Sequence, residues 1–129
     1  MMVPVAAEGL QPPGTVLVVE DDHDVRVAVR NTLEDEGYRV LSVTDGRHAL
    51  ELIEHSAPPD LILLDLMLPV MDGWEFVERV QANPRWSAIP IVAMSAYDRE
   101  PPEGIVAFLK KPVRPEALTH LAERFCRRW

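Results

Sequence analysis

The sequence contains little that would support a disulfide-bonded, membrane-spanning or nucleic-acid-binding protein. Cys126 is the single cysteine among 129 residues, so no internal disulfide can form, and we expect a reducing cytoplasm. No apolar run approaches the about 18 residues of a membrane span. Lys and Arg number 13 against 21 Asp and Glu, giving a net charge of −8. This balance argues against binding nucleic acid, which needs a basic surface.

The first 14 residues have no features of a folded element. The stretch MMVPVAAEGLQPPG contains three prolines, two glycines and one charge, and it lacks the cationic start and long apolar core of a signal peptide. We therefore predict a flexible leader over residues 1–14. Residues 15–129 have the length of one domain, with enough apolar residues for a core.

After the leader, short β-branched apolar runs alternate with segments of helical periodicity. Alternation of this kind predicts a parallel sheet with right-handed crossovers and helices on both faces. The predicted strands cover residues 15–20, 38–43, 61–66, 89–96 and 105–111, and the predicted helices cover residues 24–37, 45–55, 72–83 and 114–129.

Polar side chains collect at the carboxyl ends of these strands, where such sheets bind their ligands. They are Glu20-Asp21-Asp22, Asp65, Ser95 and Lys111. Converging carboxylates repel one another unless a cation joins them, and oxygen ligands without Cys or His favour Mg²⁺. A metal, an ammonium and a hydroxyl together would suit an anion, such as a phosphoryl group on Asp65.

Each of these residues also has an ordinary structural explanation. The acidic triplet after the first strand could be a polar turn that caps the next helix, Lys111 could be a solvated loop residue, and Ser95 could satisfy a backbone group. Asp65 is the hardest to explain in this way. It directly follows four apolar residues, and a carboxylate buried there needs a partner that offsets its desolvation.

The four motifs VLVVEDDHDVR, PDLILLDLMLPVMDGWEF, IPIVAMSA and FLKKP, taken together, resemble the receiver domain of two-component response regulators. They occur in that family's order over residues 16–112. The resemblance implies a flavodoxin-like, doubly wound α/β fold with a five-stranded parallel sheet in the order 2-1-3-4-5.

The resemblance also implies a role for each matching residue of a Mg²⁺ site, for which Mn²⁺ is an alternative ion. Asp65 matches the phosphoacceptor, and Asp21 matches a direct metal ligand. Glu20 stands where the family holds a metal-bound water, and Met67 would offer its backbone carbonyl to the metal. Accordingly we expect the metal to contact Asp21, Asp65 and Met67, and to reach Glu20 through water.

The remaining matches concern the phosphoryl group and its consequences. Ser95 and Lys111 match the residues that hold the phosphoryl oxygens, and Phe108 matches an aromatic that swings inward when the hydroxyl at the Ser95 position moves. Met67 and Tyr97 occupy two variable positions beside the site. A bulky pair there could screen the phosphoryl group from water, and we predict slow autodephosphorylation.

The sequence departs from the family between the fourth and fifth strands. Only eleven residues, YDREPPEGIVA, separate Ala96 from Phe108, and Pro101-Pro102 lie among them. Proline disfavours helix, and a crossover with a helix normally needs about a dozen residues. We therefore predict that the fourth helix is missing or reduced to one turn. The usual receiver dimer face, which this helix helps to form, is consequently in doubt.

Three functions are compatible with these residues. The first is a phosphoacceptor that takes a phosphoryl group from a histidine kinase or phosphotransfer protein and signals by binding a downstream protein. The second is a receiver-like binding module that acts without phosphorylation. The third, a phosphatase with an aspartyl nucleophile, would want a second aspartate where Met67 stands, so we do not expect a turnover enzyme. A flavin site fits poorly, because the acidic triplet would repel a phosphate.

Overall fold

A computed structural model describes residues 14–126, in which strands and helices alternate along the chain. The leader predicted over residues 1–14 lies outside the described residues except for Gly14. The strands are β1 (Thr15–Val19), β2 (Arg39–Val43), β3 (Leu61–Asp65), β4 (Ile91–Ser95) and β5 (Ala107–Lys110). The helices are α1 (His23–Asp35), α2 (Gly46–His55), α3 (Gly73–Gln81) and α4 (Pro115–Phe125).

The five strands form one parallel sheet in the order β2-β1-β3-β4-β5. This confirms the predicted doubly wound α/β fold and its strand order. Asp65 pairs with Met94 in the register of β3 and β4, and Ser95 pairs with Lys110 in the register of β4 and β5. The carboxyl ends of the three strands therefore finish within one residue of one another.

Two apolar layers enclose the sheet, one on each face. One layer joins β1, β3 and β4 to α2 and α3 through side chains such as Ile53, Phe76 and Val80. The other joins the same strands to α1 and α4 through side chains such as Leu33 and Leu118. Because both faces of the central strands are covered, their residues are apolar without alternation, as in Leu61–Leu64.

Aspartate side chains start three of the helices. Asp22, Asp45 and Asp72 each accept a hydrogen bond from the backbone N–H three residues later, at 2.9 to 3.0 Å. At Asp45 the donor is His48, and this bond holds the pKa of the Asp45 carboxyl below its usual value. The N-cap predicted at Asp72 is therefore present, and it places α3 directly after the loop that follows β3.

The crossover from β4 to β5 contains no helix. Residues 96–106 run as turns and extended chain past Pro101 and Pro102, as the short, proline-containing sequence predicts. The strand β5 begins two residues later than the predicted start at residue 105. Ala107 and Leu109 pack on the α1 and α4 layer, whereas Phe108 points to the other face and is 37% exposed. The missing helix thus leaves the edge of the sheet uncovered at Phe108.

The first and last described residues of the domain lie side by side. A Cβ atom placed on Gly14 would come within 2.6 Å of Cβ of Cys126, so a side chain there would force the two segments apart. Thr15 and Asp60 reinforce this end of the sheet, because the Thr15 N–H donates to Asp60 Oδ2 at 2.8 Å. Among residues 14–126 no helix is both long and apolar enough to cross a membrane.

Candidate functional site

The fold brings the predicted site residues together at the carboxyl edge of the sheet. Glu20 follows β1, Asp65 and Ser95 end β3 and β4, and Lys111 follows β5. The Lys111 N–H donates to the Ser95 carbonyl at 2.9 Å, and this bond extends the pairing of β4 with β5 by one residue. Four side chains that are distant in sequence therefore line one crevice.

Three carboxylates form the acidic part of this crevice. Glu20, Asp21 and Asp65 each place an oxygen within 4.8 Å of the other two. Glu20 and Asp65 are buried, whereas Asp21 is exposed at the rim. Charges this close are costly to keep without a cation, and an all-oxygen donor set open to solvent on one side suits a hard ion that retains waters. The residues present therefore fit a Mg²⁺ ion.

Lys111 supplies the positive charge that the structure places among these carboxylates. Its Nζ lies 2.6 Å from Glu20 Oε1 and 3.4 Å from Asp65 Oδ2. Burial raises the pKa of Glu20 from 4.5 to about 7, against the Lys111 hydrogen bond, and the charge of Asp65 adds to this rise. Burial alone would lower the pKa of Lys111, but Glu20 and Asp65 raise it, so the ammonium stays charged.

Backbone hydrogen bonds hold the other atoms of the crevice. Asp65 Oδ1 accepts from the Met67 N–H at 3.1 Å, which orients the carboxylate at the end of β3. Glu20 Oε2 accepts from the Asp22 N–H at 3.1 Å. The hydroxyl of Ser95, itself buried, accepts from the Tyr97 N–H at 3.0 Å. The side chains of Glu20, Asp65 and Ser95 are thus each positioned by the loop that follows their strand.

Arg26 is a residue of the site that reasoning from sequence did not single out. Its Nη1 donates to the carbonyl oxygens of Glu20 at 3.0 Å and Asp21 at 3.3 Å. A guanidinium that bonds two successive carbonyls fixes the backbone on which the acidic side chains stand. The signal available in the sequence was the position of Arg26 in the first turn of α1, which is too common to be specific.

The loop between β3 and α3 turns sharply because Gly73 packs directly on the chain that carries Asp65. A Cβ atom at Gly73 would lie 2.6 Å from Cα of Leu66 and 3.2 Å from the Asp65 carbonyl oxygen. The Gly73 N–H also donates to the Leu66 carbonyl at 2.9 Å. The first turn of α3 is therefore joined to the backbone beside the candidate phosphoacceptor.

Three further predicted residues lie at or near the rim. Met67 is 42% exposed and Tyr97 is 59% exposed, and they follow β3 and β4 respectively. Phe108 lies within β5, on the face that the helixless crossover leaves uncovered. These positions are compatible with the predicted screening and switching roles, which remain predictions.

An apolar groove of about 510 Å³ adjoins the crevice. It runs between α1 and α4, with Val25 and Ala28 on one side and Val113 and Leu118 on the other. Lys111 and Ala96 also line it, at the end nearest the carboxylates. The groove therefore reaches Lys111, which in turn contacts Glu20 and Asp65.

Comparisons with known proteins place these features in context. The family model for the response regulator receiver domain matches residues 16–123. An uncharacterized 14.6 kDa protein in the sodA1 3′ region of Leptolyngbya boryana is 38% identical over 117 residues, which cover 86% of this chain and 88% of that protein.

Two further similarities involve sensor histidine kinases. The sensor histidine kinase TmoS of Ectopseudomonas mendocina is 40% identical over 104 residues, which are 76% of this chain but only 10% of the kinase. The receiver domain of the sensor histidine kinase PA1611 of Pseudomonas aeruginosa superposes with a TM-score of 0.80 at 28% identity. That alignment covers 88% of this chain and 97% of the other, and the PA1611 structure has a magnesium ion coordinated in its active site cleft.

Proposed function

The chain belongs to the response regulator receiver family, and from that premise we propose that it is a phosphoacceptor whose aspartyl phosphate forms on Asp65. The observation that carries this proposal is the buried Asp65 carboxylate facing the Lys111 ammonium within an acidic cluster. An anion that formed on Asp65 would meet a cation and a hydroxyl at once. The arrangement therefore suits a charged covalent group better than a bare carboxylate.

The proposed reaction is a transfer between two side chains. An oxygen of Asp65 forms a bond to the phosphorus of a phosphohistidine, and the P–N bond breaks with its electron pair going to the imidazole nitrogen. The Met67 N–H holds one Asp65 oxygen in place, which limits the orientations from which attack occurs. Water would then attack the phosphorus of the aspartyl phosphate and release inorganic phosphate, which regenerates the Asp65 carboxylate. The chain would therefore assist its own phosphorylation and dephosphorylation, and we do not propose a turnover enzyme on a separate substrate.

The residues around Asp65 would act on the charge of the transferred group. Bound Mg²⁺ would neutralise charge on the phosphoryl oxygens, with Asp21, Asp65 and the Met67 carbonyl as its direct protein ligands and Glu20 reached through water. Lys111 would leave Glu20 for a phosphoryl oxygen, and the Ser95 hydroxyl would donate to another. That hydroxyl movement would then give Phe108 room to turn inward, as the family resemblance implies.

The groove beside the site would receive the phosphodonor. Its apolar walls on α1 and α4 suit a helix of a histidine kinase or phosphotransfer protein, whose phosphohistidine would then reach Asp65. We propose that this exchange takes place in the cytoplasm and that a downstream protein then binds the phosphorylated chain. Replacing the groove residue Ala28, which is exposed on α1, with glutamate should block transfer from a protein donor while leaving uptake from a small phosphodonor intact.

One experiment decides the central claim. Wild type and Asp65→Asn would be incubated with Mg²⁺ and phosphoramidate, a small phosphodonor, and their intact masses measured. One phosphoryl group on the wild type and none on the variant supports the proposal. No uptake by a folded, Mg²⁺-binding wild type would contradict it and favour a binding module that acts without phosphorylation. An equal gain in both proteins would mean that another residue is the acceptor.

A further inference from the structure

The segment that replaces the missing helix, residues 97–104, is held against α3. The indole Nε1 of Trp74 donates to the Glu100 carbonyl at 3.2 Å, and the Arg99 guanidinium lies over the Trp74 ring with 4.2 Å between its central carbon and the ring centroid. Trp74 is half-buried against the apolar layer beneath α3. One tryptophan therefore binds this segment both by its edge and by its face.

The other end of the segment also meets α3. Gly104 has φ +92, a conformation that favours glycine, and it lies so close to the Gln81 side-chain amide that a Cβ atom there would overlap it. The segment thus spans α3 from its first turn to its last residue. The Trp74 clamp, formed by Trp74, Arg99 and the Glu100 carbonyl, is the polar part of this contact.

The same segment is joined to the candidate phosphorylation site. The Tyr97 N–H donates to the hydroxyl of Ser95, and Asp98 pairs with Lys110, the residue before Lys111. Ser95 and Lys111 are the two groups that would exchange their present partners for phosphoryl oxygens. A change at either one therefore acts on the segment within one or two residues of Arg99, the first clamp residue of the segment.

The contacts that make the clamp are few and lie near solvent. A hydrogen bond from a half-buried indole and a cation–π contact from an exposed arginine are weaker than the packing of a whole helix. The start of α3 is firmly held on the other side, because Gly73, the residue before Trp74, packs on the Leu66 backbone. Of α3 and the segment over residues 97–104, the segment is therefore the part that can move.

We propose that the Trp74 clamp is a switch that is closed in the unphosphorylated protein and opens when Asp65 is phosphorylated. The proposal rests on the proposed function and extends it by naming the moving part. When the Ser95 hydroxyl turns towards the phosphoryl group, the Tyr97 N–H loses its acceptor. When Lys111 moves, it displaces the neighbouring Lys110 and, with it, the paired Asp98. The segment then leaves Trp74, whose indole becomes exposed.

Tryptophan emission tests this directly. In a Trp86→Phe, Trp129→Phe background Trp74 is the only tryptophan of the chain, and its emission and acrylamide quenching report on the clamp. With Mg²⁺ and phosphoramidate we expect a red shift and a rise of about twofold or more in the quenching constant, because the population moves to the open state. Wild type, with Trp74→Phe subtracted, repeats the measurement without altering the core at Trp86.

Two further variants test the clamp without phosphorylation. Arg99→Gln removes the cation over the ring, and Ser95→Ala removes the acceptor of the Tyr97 N–H, so each should raise quenching in the absence of a donor. Arg85→Gln is the charge-matched control, since Arg85 is also an exposed arginine but its ring contact is with residue 86 and not with Trp74. It should leave Trp74 unchanged.

The outcomes separate this inference from the proposed function. A mass gain on Asp65 with unchanged Trp74 quenching overturns the switch and leaves the phosphoacceptor intact. No mass gain overturns both, because the switch depends on the phosphoryl group. Unchanged quenching in both Arg99→Gln and Ser95→Ala shows that the clamp does not hold the segment, and it overturns the switch irrespective of phosphorylation.

Discussion

The crevice at the carboxyl edge of the sheet and the crossover from β4 to β5 lie next to each other but are built in opposite ways. In the crevice, the Lys111 ammonium contacts the buried carboxylates of Glu20 and Asp65 at 2.6 and 3.4 Å, and each of these carboxylates also accepts a backbone hydrogen bond. The crossover is exposed chain without a helix, held by an indole and a surface ion pair. The crevice contains the residues that the family resemblance singled out, whereas the crossover lacks the helix that the resemblance implies.

The difference shows which part of such a domain tolerates change. In the proposed function a phosphoryl group and a metal impose distances on every ligand, so a substitution among Asp21, Asp65 and Lys111 would not be compensated nearby. A crossover has only to bridge two strands and can do so in any form that is long enough. The crevice can therefore keep its residues while the crossover beside it is rebuilt.

The strongest test of this contrast compares two adjacent lysines. Lys111→Met should lower the rate of phosphoryl uptake from phosphoramidate by about 100-fold, because it removes the cation that faces Asp65. Lys110→Met removes the ion pair to Asp98 in the crossover and should change that rate little. Rates from intact-mass time courses check both, and equal losses would break the contrast.

The second test concerns the raised pKa of Glu20 in the crevice. The folded pKa of Glu20 is about 7 against 4.5 for an ordinary Glu, so Glu20 favours the folded state below pH 4.5, and this contribution is lost as pH rises towards 7. In metal-free buffer, the stability of wild type relative to Glu20→Gln should fall by on the order of 2 to 3 kcal/mol between pH 4.5 and pH 8. Urea unfolding measures this difference in the free energy of unfolding. A difference that did not vary with pH would show that burial does not raise the pKa of Glu20.

Two glycines give a third comparison between the regions. Gly73→Ala should destabilise the fold by about 1 to 3 kcal/mol through overpacking on Leu66, and it should also slow phosphoryl uptake because the Asp65 loop must shift. Gly104→Ala strains a positive φ in the crossover at a cost of about 1 to 2 kcal/mol and should leave uptake unchanged. Urea unfolding and mass time courses separate the two effects.

The smallest expected effect concerns the rim. Tyr97→Ala should speed the decay of phosphorylated Asp65 by about threefold, because it opens the site to water. Val106→Ala, which trims another exposed apolar side chain of the crossover, is the control. Unchanged decay in Tyr97→Ala would show that Tyr97 does not screen the phosphoryl group.

Most of the fold follows from local patterns in the sequence. Buried runs such as residues 61–64 and the N-cap at Asp72 predict strands and helix starts, because burial and capping are local in sequence. The absence of a helix between β4 and β5 was predictable from the length of that connection and from Pro101-Pro102. The convergence of Glu20, Asp65, Ser95 and Lys111 followed once the order of a parallel sheet was assumed.

Other features depend on contacts that no local pattern reveals. Nothing in the spacing of Trp74 indicates that its indole donates to a carbonyl 26 residues later. Nor does the position of Arg26 indicate that its guanidinium bonds the Glu20 carbonyl. The direct pairing of Glu20 with Lys111, 91 residues apart, is equally hidden. Each of these contacts depends on a single pair of residues, so none of them leaves a periodic trace in the sequence.

The contact between Gly14 and Cys126 has a consequence for how the domain can be connected to other protein. Its two ends meet at the amino edge of β1, about 16 Å along a five-residue strand from the crevice. A polypeptide fused before Gly14 and another fused after Cys126 would leave from one spot, on the side away from Asp65. The unit could therefore be inserted into a host protein, or closed into a ring by a short linker, with the carboxylate crevice facing outward.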